Sequence, residues 1–409
     1  MRLCSRLFAR ARCFKSRGFI LRKIYLDHNA TTPLHPEVLE VMLPVMQKFF
    51  GNPSSIHSEG RKARVFLDEA REQVAGLIGA RPGEIVFTSG GTESNNLALL
   101  GAAFSQQDKG RHIITSEIEH PSILNPCKQL ESLGFQIDRL PVDRKGRIDL
   151  EQLKRTIKTS TVLISIQHAN SEVGTLQQIE MIGEIAHENS VLFHADAVQS
   201  VGKIPVDIKK IPVDFLSMSS HKLNGPKGSG ALFVKKKSPS LFTPVCGGNQ
   251  EKKRRGGTEN VAGIVGFGKA CELAGVRLQC GGAKALEVLR NDFYQRITGL
   301  LPGVEMLGDP EFSLPNTLNL SIDGADGETL MIALDMEGIS VSTGSACSSG
   351  SSLPSHVLTN MRIPEGRIKS SLRFSLGWSN TQEQLDFAAQ ALSRLVTLNR
   401  KNTVMARFV

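Results

Sequence analysis

Lys222 lies in the run Ser219-Ser220-His221-Lys222-Leu223-Asn224-Gly225-Pro226-Lys227-Gly228, flanked by an imidazole and hydroxyls, with Gly and Pro preventing a regular helix. An amine whose pKa is lowered by a nearby cation or by partial desolvation suits Schiff-base chemistry. The plainer reading is a solvated lysine in a turn. Upstream, Ser89-Gly90-Gly91-Thr92-Glu93-Ser94-Asn95-Asn96 sets two glycines ahead of hydroxyls and a carboxylate. Such a run either cradles a phosphate on the exposed N–H groups of a helix start or is an ordinary strand-to-helix turn capped by Thr92. Asp196, with Gln199 three positions on, is an acid that binds a metal, caps a helix or pairs with a cationic ring nitrogen. A phosphate cradle, an acid and a lysine together are the anchors pyridoxal phosphate needs. The acid keeps the pyridinium nitrogen protonated so that the ring draws electrons, and the lysine carries the cofactor.

These groups need a scaffold that collects them. Apolar residues among charges at Ala63, Phe66, Ala70, Val74 and Leu77 predict an amphipathic helix over 61–79. Short β-rich runs follow at Ile85–Thr88, His112–Thr115, Val162–Gln167, Val191–Ala195, Asp214–Met218 and Ala231–Lys235, with helical stretches such as Ile179–Glu188 between several of them. Most are apolar on both faces, as strands covered on both sides should be. The reading is an α/β fold with a mainly parallel sheet, in which ligands gather at the carboxyl ends of strands. A large domain over 24–262 and a smaller α/β domain over 263–409 are expected. The smaller one has a long helical stretch around 262–300, strands near Asn316–Ile322, Ile339–Ser342 and Ser371–Leu376, and a last helix from Gln382 to about Leu398.

The 409 residues include 49 Lys+Arg, 40 Asp+Glu and 7 Cys, and the net charge is +9. Eight basic and no acidic residues fall within 1–23, leaving 41 basic against 40 acidic in the rest. A nearly neutral body with 5% aromatics argues against a nucleic-acid groove, and no apolar run reaches the roughly 18 residues of a membrane span. Residues 1–23 read as a presequence, a basic tail or a mis-assigned start. Scattered Cys without a CxxC pair or secretory signal indicate reduced thiols and no intrinsic metal site. The compartment expected is the cytoplasm, or the mitochondrial matrix if 1–23 is a presequence.

From Tyr25-Leu26-Asp27-His28-Asn29-Ala30-Thr31-Thr32 the motifs run through Gly51-Asn52-Pro53-Ser54-Ser55 and the segments above. They continue with Arg254-Arg255-Gly256-Gly257-Thr258-Glu259-Asn260, Gly344-Ser345-Ala346-Cys347 and Ser371-Leu372-Arg373-Phe374. In that order the sequence resembles the cysteine desulfurases of the class V aminotransferase superfamily, over nearly everything after residue 23. The resemblance implies a fold-type-I, pyridoxal-phosphate-dependent homodimer that converts L-cysteine to L-alanine. It implies Lys222 as the cofactor lysine, Asp196 as the pyridinium partner and Gln199 as donor to the ring hydroxyl. It implies Gly91, Thr92, Ser219 and His221 as phosphate contacts, and Thr258 as a residue that reaches the other subunit's cofactor. His120, in Glu119-His120-Pro121-Ser122, is similar to the histidine stacked on the ring that moves protons. Asn170 and Arg373 resemble the groups that orient the substrate, with Arg373 gripping its carboxylate.

Cys347 distinguishes this resemblance from ordinary transaminases. It sits in 342–352, a run of small residues with no large apolar side chain, expected to be a mobile loop. The longer form of this loop resembles the group that delivers sulfur to iron–sulfur scaffolds, with the Cys347 persulfide as donor and Cys347 as a transient cluster ligand shared with the scaffold. Delivery to other thio-cofactors or to tRNA thiolation is the further expectation. The end of the chain, 402–409, does not resemble a scaffold-docking tail, which leaves the acceptor open. The rival readings are a selenocysteine lyase and a non-catalytic partner protein that keeps the fold.

Overall fold

The computed structural model describes residues 23–343 and 354–405, with side chains to 400. Residues 1–22 of the basic extension, Cys347 and most of the 342–352 loop, and residues 406–409 lie outside the described residues. From Lys23 the chain forms β1 (Ile24–Tyr25), α1 (Pro36–Gln47), α2 (Ser58–Leu77), β2 (Ile85–Thr88), α3 (Gly91–Gln106), β3 (His112–Ser116), α4 (Pro121–Ser132) and β4 (Gln136–Leu140). It continues through α5 (Leu150–Thr156), β5 (Thr161–Gln167), α6 (Ile179–Glu188), β6 (Leu192–Asp196), β7 (Phe215–Ser219) and β8 (Gly230–Val234). Then come α7 (Val261–Gln279), α8 (Gly282–Leu300), β9 (Val304–Leu307), β10 (Thr317–Ile322), α9 (Gly327–Met336) and β11 (Ile339–Ser340). Last are α10 (His356–Asn360), α11 (Glu365–Lys369), β12 (Ser371–Ser375) and α12 (Gln382–Met405).

Seven strands make the main sheet in the order β2-β8-β7-β6-β5-β3-β4. β7, β6, β5, β3 and β4 are parallel, and β8 runs antiparallel between β7 and β2. β2 therefore points the same way as the parallel set, so the carboxyl ends of β2, β3, β5, β6 and β7 share one edge. β3, β5, β7 and β8 are buried along their whole length, and each covered Ile, Leu, Val or Phe contributes about 1.5–3 kcal/mol of burial. α2 forms because Ala63, Leu67, Ala70 and Val74 repeat on one face, its first turn being capped by His57, which accepts from Gly60 N.

The buried residues do not group strictly in chain order. Ile264, Phe267, Ala270, Cys271 and Ala274 of α7 pack into the core of the main sheet. Ile24 and Leu26 pack instead with Leu318, Leu320, Phe374 and Leu392 in the second core. Its sheets are antiparallel β12-β10-β9 and the parallel pair β1-β11. Burial groups α7 with α1 and α2: Val38 of α1 and Leu67, Ala70 and Val74 of α2 lie in the same core as α7. The single helical stretch expected over 262–300 is broken at Gly281, whose φ of +78° is left-handed. At Gly282 a Cβ would come within 2.8 Å of the Trp378 ring, so the break also lets helix backbone approach the indole.

Candidate active site

Five strand ends deliver the groups singled out in the sequence. After β2, Gly90 adopts φ +154° and precedes α3, whose first turn has no side-chain cap. A Cβ on Gly90 would stand 3.8 Å from Ser219 Oγ, and one on Gly91 would collide with Val198 at 2.7 Å. Gly90 and Gly91 therefore approach Ser219, which ends β7, at the start of α3, where among the described residues the first-turn N–H groups have no side-chain cap. Glu93 does not oppose an anion there, since it accepts from Ser89 N at 2.8 Å and from Arg255 Nε at 2.8 Å. Burial opposes that ionisation, but the arginine and Ser89 bonds outweigh it and lower the carboxyl pKa.

Asp196 is the last residue of β6 and is held as an acceptor, by Asn95 Nδ2 at 2.7 Å and by Val198 N at 3.0 Å. The same Asn95 amide reaches Ser122 Oγ at 2.8 Å, and Ser122 Oγ lies 2.7 Å from His120 Nδ1. His120 caps α4, with Nδ1 accepting from Ser122 N at 3.1 Å. That bond puts the neutral ring's proton on Nε2. Burial lowers the His120 pKa; Asp196 pulls the other way, and Lys222 and His356 add to the lowering.

Lys222 lies in a 3-10 turn after β7, and its Nζ donates to the carbonyls of Asn29 at 2.6 Å and Ala30 at 2.8 Å. Gln199 Nε2 donates to the same Asn29 carbonyl at 2.9 Å. His221 Nδ1 lies 3.1 Å from Thr31 Oγ1, its carbonyl accepts from Thr32 N, and burial among Lys222, Lys227 and Lys203 lowers its pKa to about 4. From the second core, Arg373 of β12 donates to Asp27 Oδ1 at 2.8 Å and to Ser171 O at 3.2 Å, and its buried Nε has no partner among the described residues. The Asp27–Thr32 segment thus touches residues of both cores.

Asn170, in the turn after β5, is brought to the same region, yet its Oδ1 already accepts from Glu172 N and Val173 N, and Nδ2 donates to Ile118 O. One Nδ2 proton remains for a ligand. Thr258 is exposed beside Ser89, Gly228 and Gly257, on a cleft away from Lys222. Its approach is set by Glu251, Lys252 and Lys253, all left-handed with φ of 45°, 57° and 66°. Strain of this kind costs roughly 1 kcal/mol or more per residue. The anchor against it is Glu251, buried on Arg71 at 2.8 and 2.6 Å and accepting from Phe87 N. Cys347 lies outside the described residues.

Asp27, Asn29, Asn95, Ser122 and Lys203 were not recognised as site residues from the sequence. Asn95 carried a signal, four positions beyond the Gly90-Gly91 pair and so on the inner face of α3. Among the described residues no three His, Cys, Asp or Glu side chains gather to hold a metal, and no helix is long and apolar enough to cross a membrane.

The donor set fits pyridoxal phosphate: an uncapped helix start facing a hydroxyl, a buried carboxylate held as an acceptor, an amine on two carbonyls, and an unpartnered guanidinium Nε suited to a carboxylate. Comparison with known proteins agrees. The family model described as aminotransferase class-V matches residues 24–387. The chain is 48% identical to "Cysteine desulfurase IscS" of Dictyoglomus turgidum over 375 residues, covering 92% of this chain and 95% of that one. It is 47% identical to "Cysteine desulfurase IscS" of Methanosarcina thermophila over 377 residues, covering 92% of each. A solved structure titled "NIFS-like protein" superposes with a TM-score of 0.86 at 38% identity, covering 92% of this chain and all of that one.

Proposed function

The chain belongs to the class V aminotransferase family and is a pyridoxal-phosphate-dependent cysteine desulfurase, and on that premise we propose how its residues take sulfur from L-cysteine and pass it on as a persulfide. When bound, pyridoxal phosphate supplies an electron sink for the substrate's α-carbon. The first turn of α3 at Gly91 and Thr92, with Ser219 and His221, holds the phosphate. Asp196, kept in place by Asn95, keeps the ring nitrogen protonated. Gln199 would donate to the ring hydroxyl, and His120, whose neutral ring carries its proton on Nε2, would hold or move a proton beside the ring. Lys222 would hold the cofactor and move the substrate's α-proton. Arg373 grips the substrate carboxylate through Nε and an Nη, and Asn170 adds its one remaining amide proton.

Cys347 thiolate would then attack the substrate sulfur: an S–S bond forms, the C–S bond breaks with its electron pair left on the carbon skeleton, and that skeleton takes up a proton and leaves as L-alanine. Buried Cys127, whose thiol is pushed up to about 12, and Cys271, pushed up by burial as well, are unsuited to that role. The persulfide passes to an acceptor of the iron–sulfur scaffold type or to another thio-acceptor, in a reducing, cytoplasm-like compartment. The working unit is a homodimer in which each Thr258 reaches the partner's phosphate.

The observation that carries this assignment is the convergence of Lys222 Nζ and Gln199 Nε2 on one carbonyl, that of Asn29, beside the end of β6 where Asp196 stands. Borohydride reduction and peptide mapping test it. A pyridoxyl label on Lys222 is expected, and a label on any other lysine overturns the assignment.

A further inference from the structure

Lys203 is buried, with 5% of its surface exposed, and among the described residues its ammonium position meets no carboxylate. Its Nζ donates to two amide oxygens, Asn29 Oδ1 at 2.9 Å and Gln199 Oε1 at 2.8 Å. The charged groups that act on it are cations, Lys222 and Arg373, and His28 and His221 stand in its field. Burial, with these cations, pushes the amine well below the usual lysine range. A neutral amine has two N–H groups, as many as the acceptors it meets.

The two amides it touches are unequal. Asn29 Oδ1 also accepts from Asn316 Nδ2 at 3.0 Å, and Asn29 Nδ2 is tied to Ser171 O and Thr317 Oγ1. Gln199 is bonded at Oε1 by Lys203 and at Nε2 by the Asn29 carbonyl, which Lys222 shares. With the oxygen engaged, the free edge of the Gln199 amide is its second N–H. A buried amide oxygen left without a donor is unfavourable, and losing that donor would turn or displace the side chain.

We propose that Lys203 is a positioning residue that fixes the Gln199 amide with its oxygen turned away from the cofactor, so that Gln199 presents only an N–H to the ring hydroxyl oxygen. This rests on the pyridoxal-phosphate reading above. The N–H stabilises that oxygen in its deprotonated form; an amide oxygen in its place repels it and makes the bound cofactor hold its proton more tightly.

The test titrates the visible absorption of the bound cofactor against pH in the full-length holoenzyme. Four proteins are compared: wild type, Lys203→Met, Gln199→Ala and the double variant. Lys203→Met should raise the midpoint by about half a unit or more, a roughly threefold tighter hold on the proton, and should move it little when Gln199 is already Ala. An unchanged midpoint in Lys203→Met, or an equal displacement in both backgrounds, overturns the proposal. If Lys203→Met does not fold, Lys203→Gln takes its place in the same cycle. Its amide still donates one bond, so its midpoint should rise by less, and a shift that survives in the Gln199→Ala background overturns the proposal there too. A wild-type protein that binds no pyridoxal phosphate overturns the cofactor reading itself; a wild type that binds it, with Lys203→Met unchanged, overturns only the role of Lys203.

Discussion

Arg373 Nη2 donates to Asp27 Oδ1 across 2.8 Å, so the guanidinium is already oriented by a carboxylate of its own chain, while its buried Nε meets no acceptor among the described residues. On the proposed reading, a substrate carboxylate would meet a preset donor and need not order a free side chain.

Arg373→Lys keeps the charge near Asp27 but loses the planar fork. KM for L-cysteine should rise about tenfold or more, the loss of one charge-assisted bond of roughly 1.5–3 kcal/mol, with cofactor content unchanged. Steady-state kinetics beside a cofactor assay check this. An unaltered KM would mean that the carboxylate binds elsewhere.

Asp196→Asn leaves the first turn of α3 and Ser219 to hold the phosphate but removes the carboxylate that keeps the ring nitrogen protonated. Cofactor content should stay near the wild-type level while kcat falls about a hundredfold, on the order of 2.7 kcal/mol. Equal losses of both would make Asp196 a structural residue.

Cys347→Ser supplies a hydroxyl, a far poorer attacker of divalent sulfur at neutral pH. The variant should bind L-cysteine and yet release little alanine, with no added sulfur found by mass spectrometry after one turnover. In the wild type the extra sulfur should map to Cys347. Its appearance on exposed Cys246 or Cys280 instead would relocate the nucleophile.

Glu119 is wholly buried, its Oε1 accepting from Ser116 Oγ and Gln167 N while Oε2 has no partner among the described residues, and burial raises its pKa from 4.5 to about 8. The folded state thus holds this proton where the unfolded chain has released it. Glu119 lowers stability as pH rises from about 4.5 to about 8, at up to about 1.4 kcal/mol per unit. Glu172, raised to about 7, adds in the same direction. His168 and His194, lowered to about 4 and about 3, act oppositely but only below about pH 6.5. Lys203, lowered well below the usual lysine range, also acts oppositely, and up to higher pH. The readout is therefore the difference between two proteins: between pH 6.5 and 8.5 melting temperature should fall more steeply, or rise less, in the wild type than in Glu119→Gln. Parallel slopes would show that Glu119 is ionised when folded.

Most of the main sheet was legible because its strands are apolar on both faces: the six runs read from the sequence lie within one residue of β2, β3, β5, β6, β7 and β8. β4 and β9 were not. β4 is an edge strand carrying Asp138 and Arg139, and in Val304–Leu307 only Leu307 is buried while Glu305 is exposed, so neither shows a continuous apolar run. In the site, residues whose chemistry is their side-chain type, such as Lys222 and Asp196, stood out. Asn29 did not, since it acts through its backbone carbonyl, which every residue has. Lys203 did not either, because nothing in its neighbours along the chain marks it as buried; its partner Asn29 is 174 positions away.

The threading of Asp27–Thr32 between the two cores also sets an order of assembly. His28 N bonds Ser375 O, Ser375 N bonds Leu26 O, and Asn29 N bonds Ser375 Oγ, 346 residues further on. During synthesis the first of these segments leaves the ribosome long before the second exists. Until β12 emerges, the segment that carries the Asn29 carbonyl lacks its bonds to Ser375. Closing so long a loop costs only slowly growing entropy, but it comes last. A nascent chain that ends before Ser371 therefore carries the phosphate turn, the acid and the lysine without the segment that aligns them, and cannot begin turnover while still being made.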